Sequence, residues 1–145
     1  MNMTMQDTIE RTLTVNAPME RVYRALTAEL TNWFPKAIEG TVAAGQTVVF
    51  DFGKHGKCTT HIVAANPHDY FAYRWIPGVA FEGDIYARPN TLVEFRLREV
   101  DGGTEVNLVE SGFASLPKED YEMAFKNNSE GWDEELGNLV KYVQS

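Results

Sequence analysis

Glu110 is the acid in this chain best placed to do chemistry. It closes the stretch 104–110, where strict alternation puts Thr104, Val106, Leu108 and Glu110 on one face of a strand and Glu105, Asn107 and Val109 on the other. A carboxylate that shares a face with Val106 and Leu108 could orient a polar ligand group or act as a base with a raised pKa. It could also lie wet at the strand end. On a strand predicted over 8–15, Arg11 shares the face of Ile9, Leu13 and Val15 and is the natural partner for Glu110. A structural ion pair is the expected arrangement, because an inward charge is costly unless it is paired.

The run His55-Gly56-Lys57-Cys58-Thr59-Thr60-His61 has the look of a metal spacing. On a strand, however, residues three apart face opposite sides, so Cys58 and His61 cannot meet at one ion. No carboxylate cluster completes a tetrahedral set. No metal and no cofactor are expected. Cys58 has only Lys57 and the two histidines near it in sequence, which fits a buried thiol better than an activated nucleophile. The chain carries no Ser-His-Asp set, Gly-rich phosphate loop or nucleotide motif. Glu82, Asp84 and the pair Glu119-Asp120 read as solvated surface.

The elements that must position these groups follow from periodicity. Asn16-Ala17-Pro18 opens a helix over 18–29, with Asn16 as a candidate cap, Pro in the first turn and Glu20 at the positive end of the dipole. A second short helical turn ends at Trp33-Phe34-Pro35. Strands follow at 46–52, with Val48, Phe50 and Phe52 on one face, and at 57–65, which is apolar on both faces near its end so that its register stays open. Further strands run over 70–76, with Phe71, Tyr73 and Trp75 together, over 91–99, with Val93, Phe95 and Leu97 together, and over 104–111. Gly53-Lys54-His55-Gly56, Asn66-Pro67-His68-Asp69 and Asp101-Gly102-Gly103 are turns. A long helix over 117–144 closes the chain. Tyr121, Phe125, Trp132, Leu136, Leu139 and Val143 form its apolar stripe. Consecutive strands joined by tight turns imply an antiparallel sheet in an α+β fold. The segment 77–90, with Phe81, Ile85 and Tyr86, is longer than an ordinary connection.

With 145 residues the chain fits one domain, residues 1–145, large enough for a real core. It has 8 Phe, 6 Tyr and 3 Trp, enough to fill a core and leave some to line a cavity. A net charge of −8 without a Lys/Arg cluster argues against nucleic acid and against anionic membranes. The lone cysteine, the lack of a basic, apolar leader and the lack of any run of about 20 apolar residues lead to the expectation of a cytoplasmic protein with no membrane span.

A longer set of residues carries a resemblance by its order and spacing. These are Ala17-Pro18-Met19-Glu20-Arg21-Val22-Tyr23-Arg24-Ala25-Leu26-Thr27, then Trp33-Phe34, then Tyr73-Arg74-Trp75. The stretch 103–113, Gly-Thr-Glu-Val-Asn-Leu-Val-Glu-Ser-Gly-Phe, and Gly131-Trp132 with Leu136 and Leu139 complete it. From about Ile9 to Val143 the chain resembles the START-like, helix-grip (SRPBCC) superfamily. Within it, the chain looks most like bacterial proteins related to the C-terminal domain of the activator of heat-shock-protein-90 ATPase. The resemblance implies a curved antiparallel sheet of about seven strands gripping the C-terminal helix, two short helices after the first strand, and a cavity between sheet and helix. Members of the superfamily include lipid carriers, hormone-type ligand binders, polyketide cyclases and co-chaperone domains.

The function expected from these readings is binding of a small, largely hydrophobic molecule or lipid, with no catalytic residue assigned. A cyclase- or hydrolase-type enzyme using Glu110 is the first alternative. A co-chaperone or stress-related interaction module is the second. Chaperone contact is the less favoured partner, because nothing in these 145 residues matches the separate N-terminal domain with which eukaryotic activators stimulate the chaperone. The expected cavity is on the order of 300–1,000 Å³. Its walls are drawn from the inward faces of Phe50, Phe52, Tyr73, Trp75, Phe95 and Leu108, with Phe125 and Trp132 from the helix. Trp33, Phe34, Phe81 and Tyr86 are placed near its mouth, and Glu110 is its main inward acid.

Overall fold

Residues 6–145 are described by a computed structural model. Seven strands form one antiparallel sheet: β1 (Thr8–Val15), β2 (Ala37–Glu39), β3 (Thr47–Asp51), β4 (Lys57–Asn66), β5 (Tyr70–Trp75), β6 (Thr91–Val100) and β7 (Gly103–Ser111). They lie side by side in the order β1-β7-β6-β5-β4-β3-β2. Each strand from β2 to β7 pairs with the next in sequence, and β1 completes the sheet by adding to the outside of β7. Helix α1 (Met19–Leu26) follows β1, and helix α2 (Lys118–Gln144) ends the chain. The sheet curves around α2, which makes this an α+β helix-grip fold.

The alternation that predicts the strands also sets the core. β7 alternates between buried and half-buried along its whole length, and Val106, Leu108 and Glu110 all turn inward. Trp132, Leu136, Leu139 and Val143 are the buried stripe of α2. They pack on Phe71, Tyr73, Phe95 and Leu108, each no more than 1% exposed. Burying a large side chain of this kind contributes about 1.5–3 kcal/mol.

Several boundaries differ from the periodic reading for local reasons. The helix expected over 18–29 ends at Leu26: Thr27 leaves helical geometry, and its hydroxyl donates back to the Tyr23 carbonyl. The second of the two short helices is a single 3-10 turn at Leu30–Asn32. Asn16 does not cap α1. Pro18 holds the cap position, and the Asn16 N–H instead donates to Gln144 Oε1 at the end of α2. β2 has no counterpart in the sequence reading, because three residues are too few to show a period. The uncertain register of the fourth strand has a physical basis. Ile62 pairs with Tyr73 but Ala64 with Ala72, so Val63 is an extra residue, bulged outward and 42% exposed.

The segment 77–90 is held by close packing at its start and by a β-bridge at Phe81. Residues 77–80 lie between the 53–56 turn and α2, and two glycines make the fit. A Cβ at Gly56 would fall 2.5 Å from Ala80 Cβ, and one at Gly78 would fall 2.7 Å from Ala124 Cα. Both glycines also hold positive φ, at 99° and 78°. Beyond this point Phe81 forms a parallel bridge with Cys58, and its carbonyl accepts from the Thr59 N–H.

Candidate functional site

Two features lie back to back where α2 crosses the ends of β3, β4 and β5. One is a sealed carboxylate and the other is an open groove.

The carboxylate is Glu110, 0% exposed. Four side chains donate to it. Trp75 Nε1 (2.9 Å) and Thr91 Oγ1 (2.6 Å) reach Oε2, Trp132 Nε1 reaches Oε1 (2.8 Å), and Asn128 Nδ2 lies 3.0 and 3.1 Å from the two oxygens. None of these donors is charged. Burial pushes the carboxyl pKa above its ordinary 4.5, and the four hydrogen bonds pull against that rise without cancelling it.

The ion pair expected between Glu110 and Arg11 does not form. In the β1–β7 register Ile9 stands opposite Glu110, and Arg11 is two residues along, opposite Leu108. From there its guanidinium reaches over to α2, where it pairs with Asp133 (2.7 Å) and donates to Ser129 Oγ (2.9 Å). The nest around Glu110 is therefore made of dipoles alone.

The groove has a volume of about 480 Å³. Phe34, Phe52, Trp75 and Trp132 form one wall, with Phe34 at its centre: its ring lies 5.3 Å from Phe52, 6.1 Å from Trp75 and 5.5 Å from Trp132. Residues 78–80 and Cys58 border the groove on the sheet side, and α2 contributes Asn128, Gly131 and Glu135. Those three helix positions are spaced i, i+3, i+7 on the stripe that carries Trp132, so the periodicity that finds Trp132 also holds the signal for them. A Cβ added at Gly131 would meet nothing within 4 Å. The helix thus keeps its least favourable ordinary residue beside open space. Glu135 is half-buried, and burial raises its pKa.

The residues proposed from the sequence as a ligand site divide three ways. Phe52, Trp75 and Trp132 line the groove, as does Phe34. Phe50, Tyr73, Phe95 and Leu108 do point inward, but they are at most 1% exposed and form the packed layer behind the wall. Trp33 is in the core, with its Nε1 donating to the Ala25 carbonyl, and Phe125 packs against Phe113 and Tyr121. Phe81 and Tyr86, expected near the mouth, are not among the lining residues. The Phe81 ring lies 4.5 Å beneath the Arg88 guanidinium, away from the groove. Tyr86 is 56% exposed on the outer face, where its hydroxyl meets His61 Nδ1 at 2.6 Å. Glu110 is likewise behind the wall, and the acids that border the groove are Glu134 and Glu135.

His55 and Cys58 border the groove, whereas His61 turns to the other face of β4. The Cys58 thiol is buried, donates to the Val79 carbonyl, and has its pKa raised by that burial. Among the described residues no three metal-ligating side chains converge. Behind the wall the Tyr73 hydroxyl is fully buried with no hydrogen-bond partner among the described residues, and burial raises its pKa well above 10.

A curved antiparallel sheet holding a C-terminal helix, with a groove at their junction, defines a helix-grip protein. The chain belongs to the family of activator of Hsp90 ATPase homolog 1-like proteins, whose model matches residues 16–144. Solved structures share the fold. DynU16, a protein of the dynemicin biosynthetic locus, aligns at a TM-score of 0.77 and 21% identity over 97% of this chain. This chain spans 48% of that protein's length. The Aha1 dimer of Colwellia psychrerythraea aligns at 0.75 and 20% identity, covering 95% of this chain and 96% of that one. CalU16 of Micromonospora echinospora aligns at 0.69 and 22% identity, covering 94% and 73%. At these identities the likeness is one of fold. No curated protein sequence matches the chain.

Proposed function

We propose that this protein binds a small, largely hydrophobic molecule in the groove between the sheet and α2. The observation that carries this reading is the four-ring wall of Phe34, Phe52, Trp75 and Trp132 left facing about 480 Å³ of open space. That volume falls within the range of about 300–1,000 Å³ usual for small-molecule sites, and apolar walls with a few polar groups are their usual lining. Likeness to a protein of a biosynthetic locus is in keeping with a small-molecule role. A cytoplasmic setting suits the single buried thiol, and no helix among the described residues is long and apolar enough to cross a membrane.

The geometry does not favour the enzyme alternative. A reacting Glu110 needs access to substrate, and here two indoles, a hydroxyl and an amide already occupy its oxygens. The protein-interaction alternative draws on Val79 and Met123, 53% and 64% exposed beside a second hollow of about 390 Å³.

The groove reading is tested by filling the groove from the helix side. Gly131→Leu projects into open space, so thermal unfolding should occur at the same temperature or higher. Native mass spectrometry of protein from its own host should find a small molecule retained by the wild type and lost in the variant. Titration with neutral polycyclic aromatics should quench Trp fluorescence in the wild type and far less in the variant. Equal quenching in both, or none in either, would remove this reading and bring the interaction surface forward.

A further inference from the structure

The groove is one-sided in its hydrogen bonding. The indole N–H groups of Trp75 and Trp132 are turned away to Glu110, as is the Asn128 amide nitrogen. The Cys58 thiol is spent on the Val79 carbonyl. The wall therefore offers the groove aromatic surface, and Asn128 is left with its carbonyl oxygen, an acceptor. Glu135 borders the same space half-buried, with Glu134 beside it at the rim, and no lysine or arginine lines it. Lys36 runs across Gly53, and neither it nor Lys54 of the 53–56 turn is among the residues that line the groove. Among the side chains of the described residues that line it, only His55 and Asn127, both exposed at the mouth, are left to donate. The unpartnered Tyr73 hydroxyl is sealed off, with Phe50 and Trp75 packed against its ring.

A site built of aromatic faces, acceptors and carboxylates repels a carboxylate or phosphate and attracts a cation. Ring faces draw an ammonium through their quadrupole, and a half-buried carboxylate adds a charge-assisted hydrogen bond. We propose that the groove is selective for hydrophobic amines. The ring system of the ligand lies on the Phe34–Phe52–Trp75–Trp132 wall, and its protonated nitrogen faces Glu135 and the Asn128 carbonyl oxygen. Fatty acids and other acidic lipids are excluded. This proposal rests on the ligand-binding reading above and specifies its ligand class.

The test compares three probes with one ring system: naphthylmethylamine, naphthylmethanol and naphthoate. Binding is measured by calorimetry, with the indole N–H NMR resonances of Trp75 and Trp132 reporting the location. The expected order is amine tightest, by about tenfold over the alcohol, with naphthoate weakest. Glu135→Gln should bring the amine down to the affinity of the alcohol without changing the alcohol, and Glu135→Lys should invert the order. Thermal unfolding of both variants checks the fold, and the alcohol serves as an internal control for an intact groove. If amine and alcohol bind alike, or if naphthoate binds tightest, amine selectivity is wrong while the groove remains a ligand site; if the preference survives Glu135→Gln, the placement of the nitrogen against Glu135 is wrong. If none of the three binds, the ligand-binding reading falls as well.

Discussion

The interior of the sheet and its open end use the same aromatic residues to different effect. Phe71, Tyr73, Phe50 and Phe95 alternate inward as Trp75 and Phe52 do, yet the first four are closed off at 0–1% exposure while Phe52 and Trp75 border open space. The difference lies in position along the strand. Trp75 is the last residue of β5 and Phe52 lies one past the end of β3, where α2 no longer covers the sheet completely. Which face a side chain takes is a property of parity. Whether it becomes core or lining depends on how far along the strand the helix reaches.

The largest effect that can break this comparison is removal of Glu110, which joins the two regions. Glu110→Ala strands two indole N–H groups, the Thr91 hydroxyl and the Asn128 amide in a dry interior and leaves a cavity. A loss of about 3–5 kcal/mol is expected in urea unfolding, together with dispersed shifts of both indole resonances. Glu110→Gln should also destabilise, by about 1–3 kcal/mol, because every neighbour is a donor and the new amide must present its own N–H groups to them. A Glu110→Gln variant as stable as the wild type would mean that the carboxylate is not the acceptor on which the wall is built.

A second pair of substitutions separates the regions directly. Phe95→Ala should cost about 3–5 kcal/mol, as for other buried aromatics, and affect ligand binding only through the fold. Phe52→Ala, at a half-buried rim position, should cost about 1 kcal/mol and lower affinity for aromatic ligands markedly. Chemical denaturation and calorimetry on the same samples check both. Similar stability losses at the two sites would erase the distinction between core and lining.

Much of this arrangement is legible in the sequence, and the parts that are not have physical reasons. Inward placement of Glu110, Trp75, Phe95 and Trp132 follows from period two in strands and the helical stripe. The partners of Glu110 do not, since they come from pairing. Trp75 stands opposite Thr91 and Val93 opposite Glu110, and only that register, with the height of α2 above it, brings Thr91 and Asn128 to one carboxylate. The pairing of Arg11 with Glu110 fails because parity gives a face and not a position along it. Phe81 and Tyr86 lie in a segment without periodicity, whose path is set by the glycine contacts at Gly56 and Gly78, which no pattern announces.

Titration sharpens the contrast between the sealed acid Glu110 and the partly exposed, ion-paired Glu29. Glu110 has its pKa raised above 4.5 by burial, whereas Glu29 has its pKa lowered below 4.5 by the Tyr142 hydroxyl, with Arg24 and Arg21 adding to the effect. The signs are opposite in linkage. The contribution of Glu110 to stability is fully present below its unfolded pKa and is lost as pH rises through its higher folded value. That of Glu29 is present above its unfolded pKa and is lost as pH falls through its lower folded value. Carboxyl carbon shifts followed by NMR should give a midpoint above 4.5 for Glu110 and below 4.5 for Glu29. A Glu110 midpoint below 4.5 would show that its four donors outweigh burial.

The smallest expected effect is at Tyr73. Its ring packs against Phe50 at 5.4 Å and Trp75 at 5.2 Å, and its hydroxyl is buried without a partner. In the unfolded chain that hydroxyl is hydrated, so folding forfeits a hydrogen bond with water and gains none in return. Tyr73→Phe keeps the ring and removes the forfeit. The variant should be as stable as the wild type or more so, by up to about 1 kcal/mol, a gain limited by the small void left where the oxygen was. Its affinity for groove ligands should not change, because the ring is behind the wall and not part of it. A Tyr73→Phe variant that is destabilised by more than about 1 kcal/mol, or that loses ligand affinity, would show that the hydroxyl has a partner in solution, reached from the groove, and that the wall between the two regions is thinner than its packed rings imply.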